Sequence, residues 1–135
     1  MKKLNEVKPG ETLELKHTLG KYDPIFYAGA SGDFNFIHID PEFGKMVGLG
    51  GNILQGLCTM AYTARAHTDW AGDPYALKRI HVRFSKPVFP ENTVTVQSQI
   101  VAVENGCART EFKAVNQKGE EVIINGTAEV ELAKA

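Results

Sequence analysis

The chain has 135 residues, with 15 Lys plus Arg against 16 Asp plus Glu, a formal net charge of −1. That length is expected to form a single domain over residues 1–135 with a core that needs no disulfide or metal. Near-neutral charge excludes a nucleic-acid binder acting through bulk basicity, and 43% hydrophobic with 23% charged residues excludes a disordered chain.

Leu13-Glu14-Leu15-Lys16 alternates as a short strand. Asp23-Pro24 places an N-cap before a helical proline, and Gly32 supplies the stop. Asp40-Pro41 repeats the device for a second helix ending near Gly48, which leaves residues 27–40 as the loop joining the two. A third helix is predicted from about Asn52 to Trp70, with Ile53, Leu54, Leu57, Met60, Ala61 and Ala64 at helical spacing. Its remaining positions up to Ala64 are mostly small or weakly polar (Gly56, Cys58, Thr59, Thr63), the pattern of a helix surrounded by protein. Only its end, with Arg65, His67 and Asp69, reads as solvent-exposed, and Trp70 as the plug behind it.

The second half reads as strands. Ile80, Val82 and Phe84 alternate with Arg79, His81 and Arg83; Val94 to Ala102, Ala108 to Ala114 and Val122 to Val130 also alternate. Asn105-Gly106 and Lys118-Gly119 mark turns, and Asn125-Gly126 marks a bulge within one long last strand. The expected order is a strand, helices, then four strands in an antiparallel meander. Each strand has one apolar face, and the long helix is the element available to cover it. This is an α+β chain of hot-dog architecture, a curved sheet of about five strands wrapped around one helix. Its open edges predict dimerisation edge to edge.

Cys58 and Cys107 lack CxxC spacing and are read as reduced thiols of a cytoplasmic protein. No signal peptide is expected, since no apolar run follows the first lysines, and no stretch approaches the ~20 apolar residues of a membrane span. No metal site is expected: His67 and Asp69 fall on different sides of a helix, and His17 and His81 sit on separate strands.

Candidate chemistry lies in two places. Asp33 and His38, with Asn35 between them, can converge on one water in a tight loop, and a carboxylate with an imidazole forms an acid/base pair. The same residues also suit a turn capped by Asp33 with His38 packed beneath it. Gly56, in the first turn of the third helix, can let a carbonyl oxygen approach an unpaired N–H, as an oxyanion hole requires; taken alone, close helix–sheet packing is the commoner explanation. Arg79, His81 and Arg83 share a strand face that suits either ligand phosphates or solvent.

The segment Ser31-Gly32-Asp33-Phe34-Asn35-Phe36-Ile37-His38-Ile39-Asp40 resembles the signature S-G-D-x-N-P-[LIV]-H-x-D of MaoC-like dehydratases and (R)-specific enoyl-CoA hydratases. Ile53 to Met60 is similar to that family's I-x-H-G-M-x-T-M, and Val82 to Pro90 to its V-R-F-x-x-P-V-F-P-G. The resemblance implies hydration of trans-2-enoyl thioesters of CoA or acyl carrier protein to (R)-3-hydroxyacyl thioesters, or the reverse, without a cofactor. It implies Asp33 and His38 as the catalytic pair, Asn35 as their orienting residue, the Gly56 N–H as oxyanion donor, and a homodimer or higher homo-oligomer. Phe36 replaces the family proline, which implies either a looser loop or a ring that lines and shortens the acyl pocket as part of substrate binding. Gln55 replaces the family histidine before the helix glycine, keeps hydrogen-bonding capacity but cannot titrate, and is expected with Arg83 to bind substrate. Two alternatives are a hot-dog thioesterase and a non-catalytic acyl-CoA-binding subunit of a heteromeric dehydratase.

Overall fold

The structure, a computed structural model, describes residues 1–135. Strand β1 (Thr12–Thr18) is followed by helices α1 (Asp23–Ser31), α2 (Phe36–Ile39), α3 (Pro41–Met46) and α4 (Gly56–Ala71), then by β2 (Leu77–Phe84), β3 (Thr93–Glu104), β4 (Cys107–Val115) and β5 (Glu121–Glu131). The strands form one antiparallel sheet in the order β1-β3-β4-β5-β2, with α4 across its inner face. No helix is long and apolar enough to cross a membrane.

The alternation in β3 and β4 holds residue by residue: Val94, Val96, Ser98 and Ile100, with Ala108, Thr110, Phe112 and Ala114, are buried. Asn105 and Gly106 turn the chain with φ of 53° and 77°, as an Asn-Gly hairpin requires. Strand β5 is one long strand, bulged where Asn125 adopts φ 52°. Gly126 has no substitute there, because a Cβ would stand 2.5 Å from the Phe112 ring.

The meander is shorter than predicted. Only β3, β4 and β5 are sequential neighbours; β2 crosses to the far edge and pairs with β5. The cause lies in residues 85–92, which contain Pro87 and Pro90 and do not close a hairpin. They pass the entrance of α4 instead, where the Leu54 N–H donates to the Val88 carbonyl at 2.7 Å.

The helical segment also departs from expectation. Asp23 is the first residue of α1, not its cap, and its carboxylate accepts the Gly20 N–H at 2.9 Å. The predicted loop 27–40 contains the end of α1 and the single turn α2. Helix α4 begins at Gly56, after Asn52 has turned its side chain to the His38 carbonyl and Gln55, at φ −59° and ψ 133°, has led the chain in. It is not enclosed on all sides in this chain: Leu57 is 65% exposed, and Ala61 is exposed on the same face.

The sheet-facing stripe of α4 is Thr59, Thr63, Ala66 and His67. His67, expected in solvent, is fully buried, because positions 59, 63 and 67 recur every turn on the covered face. Its Nδ1–H donates to the Thr63 carbonyl at 2.7 Å, so Nε2 accepts from the Thr110 and Ser98 hydroxyls at 2.9 and 3.1 Å. Arg65 and Asp69 are exposed as predicted and pair with each other at 3.1 Å. Trp70, half-buried at the helix end, donates its Nε1–H to Glu11.

Burial holds the His67 pKa below its ordinary value of 6.5. The unfolded chain therefore takes up a proton near that pH while the folded chain does not. Stability from this site is complete above pH ~6.5 and falls as pH drops towards the folded-state pKa, by up to about 1.4 kcal/mol per pH unit. Thermal melts of the wild type and His67→Gln across this range are expected to converge or cross as the pH falls. Parallel curves would show that His67 carries no such linkage.

Candidate active site

A succession of short polar bonds builds the site. Ser31 closes α1 by donating its hydroxyl to the Tyr27 carbonyl at 2.7 Å, and it accepts the Asp33 N–H at 3.1 Å. Gly32 takes the left-handed conformation that leads the chain out of the helix. Asp33 Oδ1 accepts the Asn35 N–H at 3.3 Å, and Asn35 Oδ1 in turn caps α2 by accepting the Ile37 N–H at 3.2 Å. That capped turn points His38 inward, its side chain 10% exposed against 48% for Asp33.

His38 Nδ1 lies 2.8 Å from the Ile53 carbonyl, which can only accept, so Nδ1 carries the hydrogen. The neutral ring thus keeps its lone pair on Nε2, which faces Asp33 Oδ2 at 3.5 Å. A water beside this gap can touch both groups. A carboxylate and an imidazole at this distance can exchange a proton with such a water, and the carboxylate can stabilise an imidazolium.

His38 also lines a cavity of about 320 Å³ with Leu54, Gly56, Thr59, Phe84 and Val88. The Gly56 N–H opens α4 and has no backbone acceptor within the protein. It is thus a free donor on the same cavity as the imidazole, at the positive end of a helix dipole. A Cβ at Gly56 would lie 3.2 Å from the Phe84 ring, so the glycine also permits the close fit of that ring. A larger depression of about 810 Å³ runs over the sheet past Gln97, Glu111 and Lys113, but it contains neither the pair nor the helix terminus. No cysteine lines the His38 cavity, and burial pushes the Cys58 pKa up.

The residues predicted to bind substrate do not line the His38 cavity in the single chain. Phe36 is 59% exposed and packs edge-on to Phe43, because α2 turns its first residue outward when it turns His38 in. Gln55 is buried behind the cavity wall, donating to the Pro24 carbonyl at 3.0 Å. Arg83 is exposed on the edge strand β2 and does not line the cavity. Sequence reading missed Leu49, Thr59 and Val88 as wall residues. Of these Thr59, one turn beyond Gly56, and Val88 fell within motif stretches and so carried a signal; Leu49 did not.

A curved antiparallel sheet around one helix, with its polar site at the helix N-terminus, defines the hot-dog class. The chain belongs to the MaoC-like dehydratase family: the profile described as "MaoC like domain" matches residues 4–122. It is 32% identical over 121 residues to the "Probable enoyl-CoA hydratase 2" of Dictyostelium discoideum, covering 88% of this chain and 40% of that one. The chain therefore spans well under half the length of that relative. Among solved structures it is similar to the "R-Hydratase PhaJ1 from Pseudomonas aeruginosa", with TM-score 0.89, 21% identity, and coverage of 98% and 86% of the two chains. It is also similar to the ChsH1-ChsH2 complex from Mycobacterium tuberculosis, with TM-score 0.83, 27% identity, and coverage of 93% and 98%.

Proposed function

We propose that this chain hydrates trans-2-enoyl thioesters of CoA or acyl carrier protein to (R)-3-hydroxyacyl thioesters, or catalyses the reverse dehydration. The observation that carries the reading is the Asp33–His38 pair set beside a cavity that also presents the free Gly56 N–H. A thioester carbonyl directed at Gly56 is polarised, and enolate character at its oxygen is stabilised. One member of the pair takes a proton from the water that attacks the β-carbon, and a proton is delivered to the α-carbon. Asn35 orients both: its N–H donates to Asp33 Oδ1, and its side-chain oxygen caps the turn that carries His38.

The reading includes a homodimer in the cytoplasm. The unpaired outer edge of β2 and the exposed apolar side chains of Leu57, Phe84 and Phe26 support self-association. Adding the protein to crotonyl-CoA is expected to remove the ultraviolet absorbance of the conjugated thioester without releasing free thiol. Thiol release would identify a thioesterase. A flat trace with both crotonyl-CoA and a longer enoyl-CoA would overturn the enzymatic reading.

A further inference from the structure

The proposed chemistry requires two stretches of chain to keep fixed positions: residues 33–38, with the acid/base pair, and 53–56, with the oxyanion donor. Ile53 joins them on the imidazole side, accepting from His38 Nδ1 at 2.8 Å and donating its own N–H to the Ile37 carbonyl at 2.9 Å. Gln55 joins them on the carboxylate side. Its side chain is buried, with Nε2 donating to the Pro24 carbonyl at 3.0 Å and reaching the Asp33 carbonyl at 3.5 Å. The Gln55 carbonyl accepts the Cys58 and Thr59 N–H groups at 3.0 and 3.3 Å, so the same residue starts α4.

The carboxamide has a defined orientation, since turning it over would set Oε1 against two carbonyl oxygens. In that orientation Oε1 is the one buried side-chain nitrogen or oxygen without a hydrogen-bond partner. A partnerless buried acceptor lowers stability, so what the amide supplies lies in its two N–H bonds. A neutral imidazole has one N–H and cannot hold both carbonyls; a carboxamide has two.

We infer that Gln55 is a positioning residue: it ties the Asp33 backbone to α1 and to the start of α4, and so sets the acid/base pair against the Gly56 N–H. This rests on the hydration reading above. Misplacement of a catalytic group by about 1 Å can cost about 10²-fold in rate, so a single tether is enough to matter.

The test uses Gln55→Met, which keeps the shape and removes both donors, and Gln55→Glu. The Met variant is expected to lower kcat by about tenfold or more with KM within about threefold, a loss confined to the transition state. Its Asn35 amide is expected to exchange with solvent about tenfold faster while amides of β3 and β4 keep wild-type rates. The Glu variant regains a donor only when protonated, so its kcat relative to wild type is expected to rise as pH falls from about 8 to about 6. The inference is overturned by a Met variant within about twofold of wild-type kcat, or by exchange that quickens equally throughout the sheet. If the Met variant does not fold, the Glu ratio decides, and a flat ratio overturns the inference. If the wild type fails to hydrate any enoyl thioester, the reading of function falls, and Asn35 exchange alone decides the tether.

Discussion

His38→Ala is expected to lower kcat for enoyl-thioester hydration by about 10³-fold, within the usual range for loss of a general acid/base group. The imidazole is the member of the pair that lines the cavity, and its Nε2 is free because Nδ1 is committed to Ile53. Asp33→Asn is expected to show a loss of similar size by another route. The amide can still accept the Asn35 N–H through Oδ1, so the turn survives. It removes the negative charge beside His38 and can donate into the Nε2 lone pair, blocking the base. Steady-state rates on crotonyl-CoA, with thermal melts to confirm folding, check both. Retention of more than about one-tenth of the activity by either variant would exclude that residue from acid/base work.

Gly56→Pro isolates the oxyanion donor. Proline lacks the N–H, and its ring is well accommodated at the first position of a helix, where Gly56 stands. Gln55 already has φ −59° and ψ 133°, the extended conformation that a residue before proline prefers. The backbone therefore accepts the change, while the thioester oxygen loses its donor. A fall in kcat of about 10²–10³-fold is expected. Gly56→Ala is the control, because it keeps the N–H and brings only the Cβ contact with Phe84 at 3.2 Å. Equal losses in the two variants would assign the effect to crowding by Phe84.

The sequence made the site legible where its chemistry is local. Asp33, Asn35 and Asp40 each bond to N–H groups two or three residues ahead, so their spacing encodes the turns directly. The strands of the second half were legible for the same reason, down to the bulge at Asn125. The position of β2 was not, because strand order depends on where residues 85–92 travel and pairing partners leave no periodic trace. The orientation of α4 was hidden by its composition: it turns threonines and an imidazole towards the sheet and leaves Leu57 and Ala61 outside. Apolar periodicity points to whatever surface is covered, and on this helix part of that periodicity lies on a face the single chain leaves open. Phe36 and Arg83 do not line the His38 cavity, because motif adjacency does not encode which way a side chain leaves the backbone.

The hydroxyl–imidazole cluster beneath α4 has a mechanical consequence. Aliphatic side chains permit a helix to slip or roll over a sheet at small cost, since dispersion contacts have little directional preference. His67 does not, because it is bonded to Ser98 on β3, Thr110 on β4 and Thr63 on its own helix. Any screw motion of the helix breaks bonds to two strands at once. Gly56 lies about 16 Å up the same rigid rod, at 1.5 Å per residue. An anchor deep in the core thus sets the axial height and rotation at which the helix delivers its first N–H to the cavity.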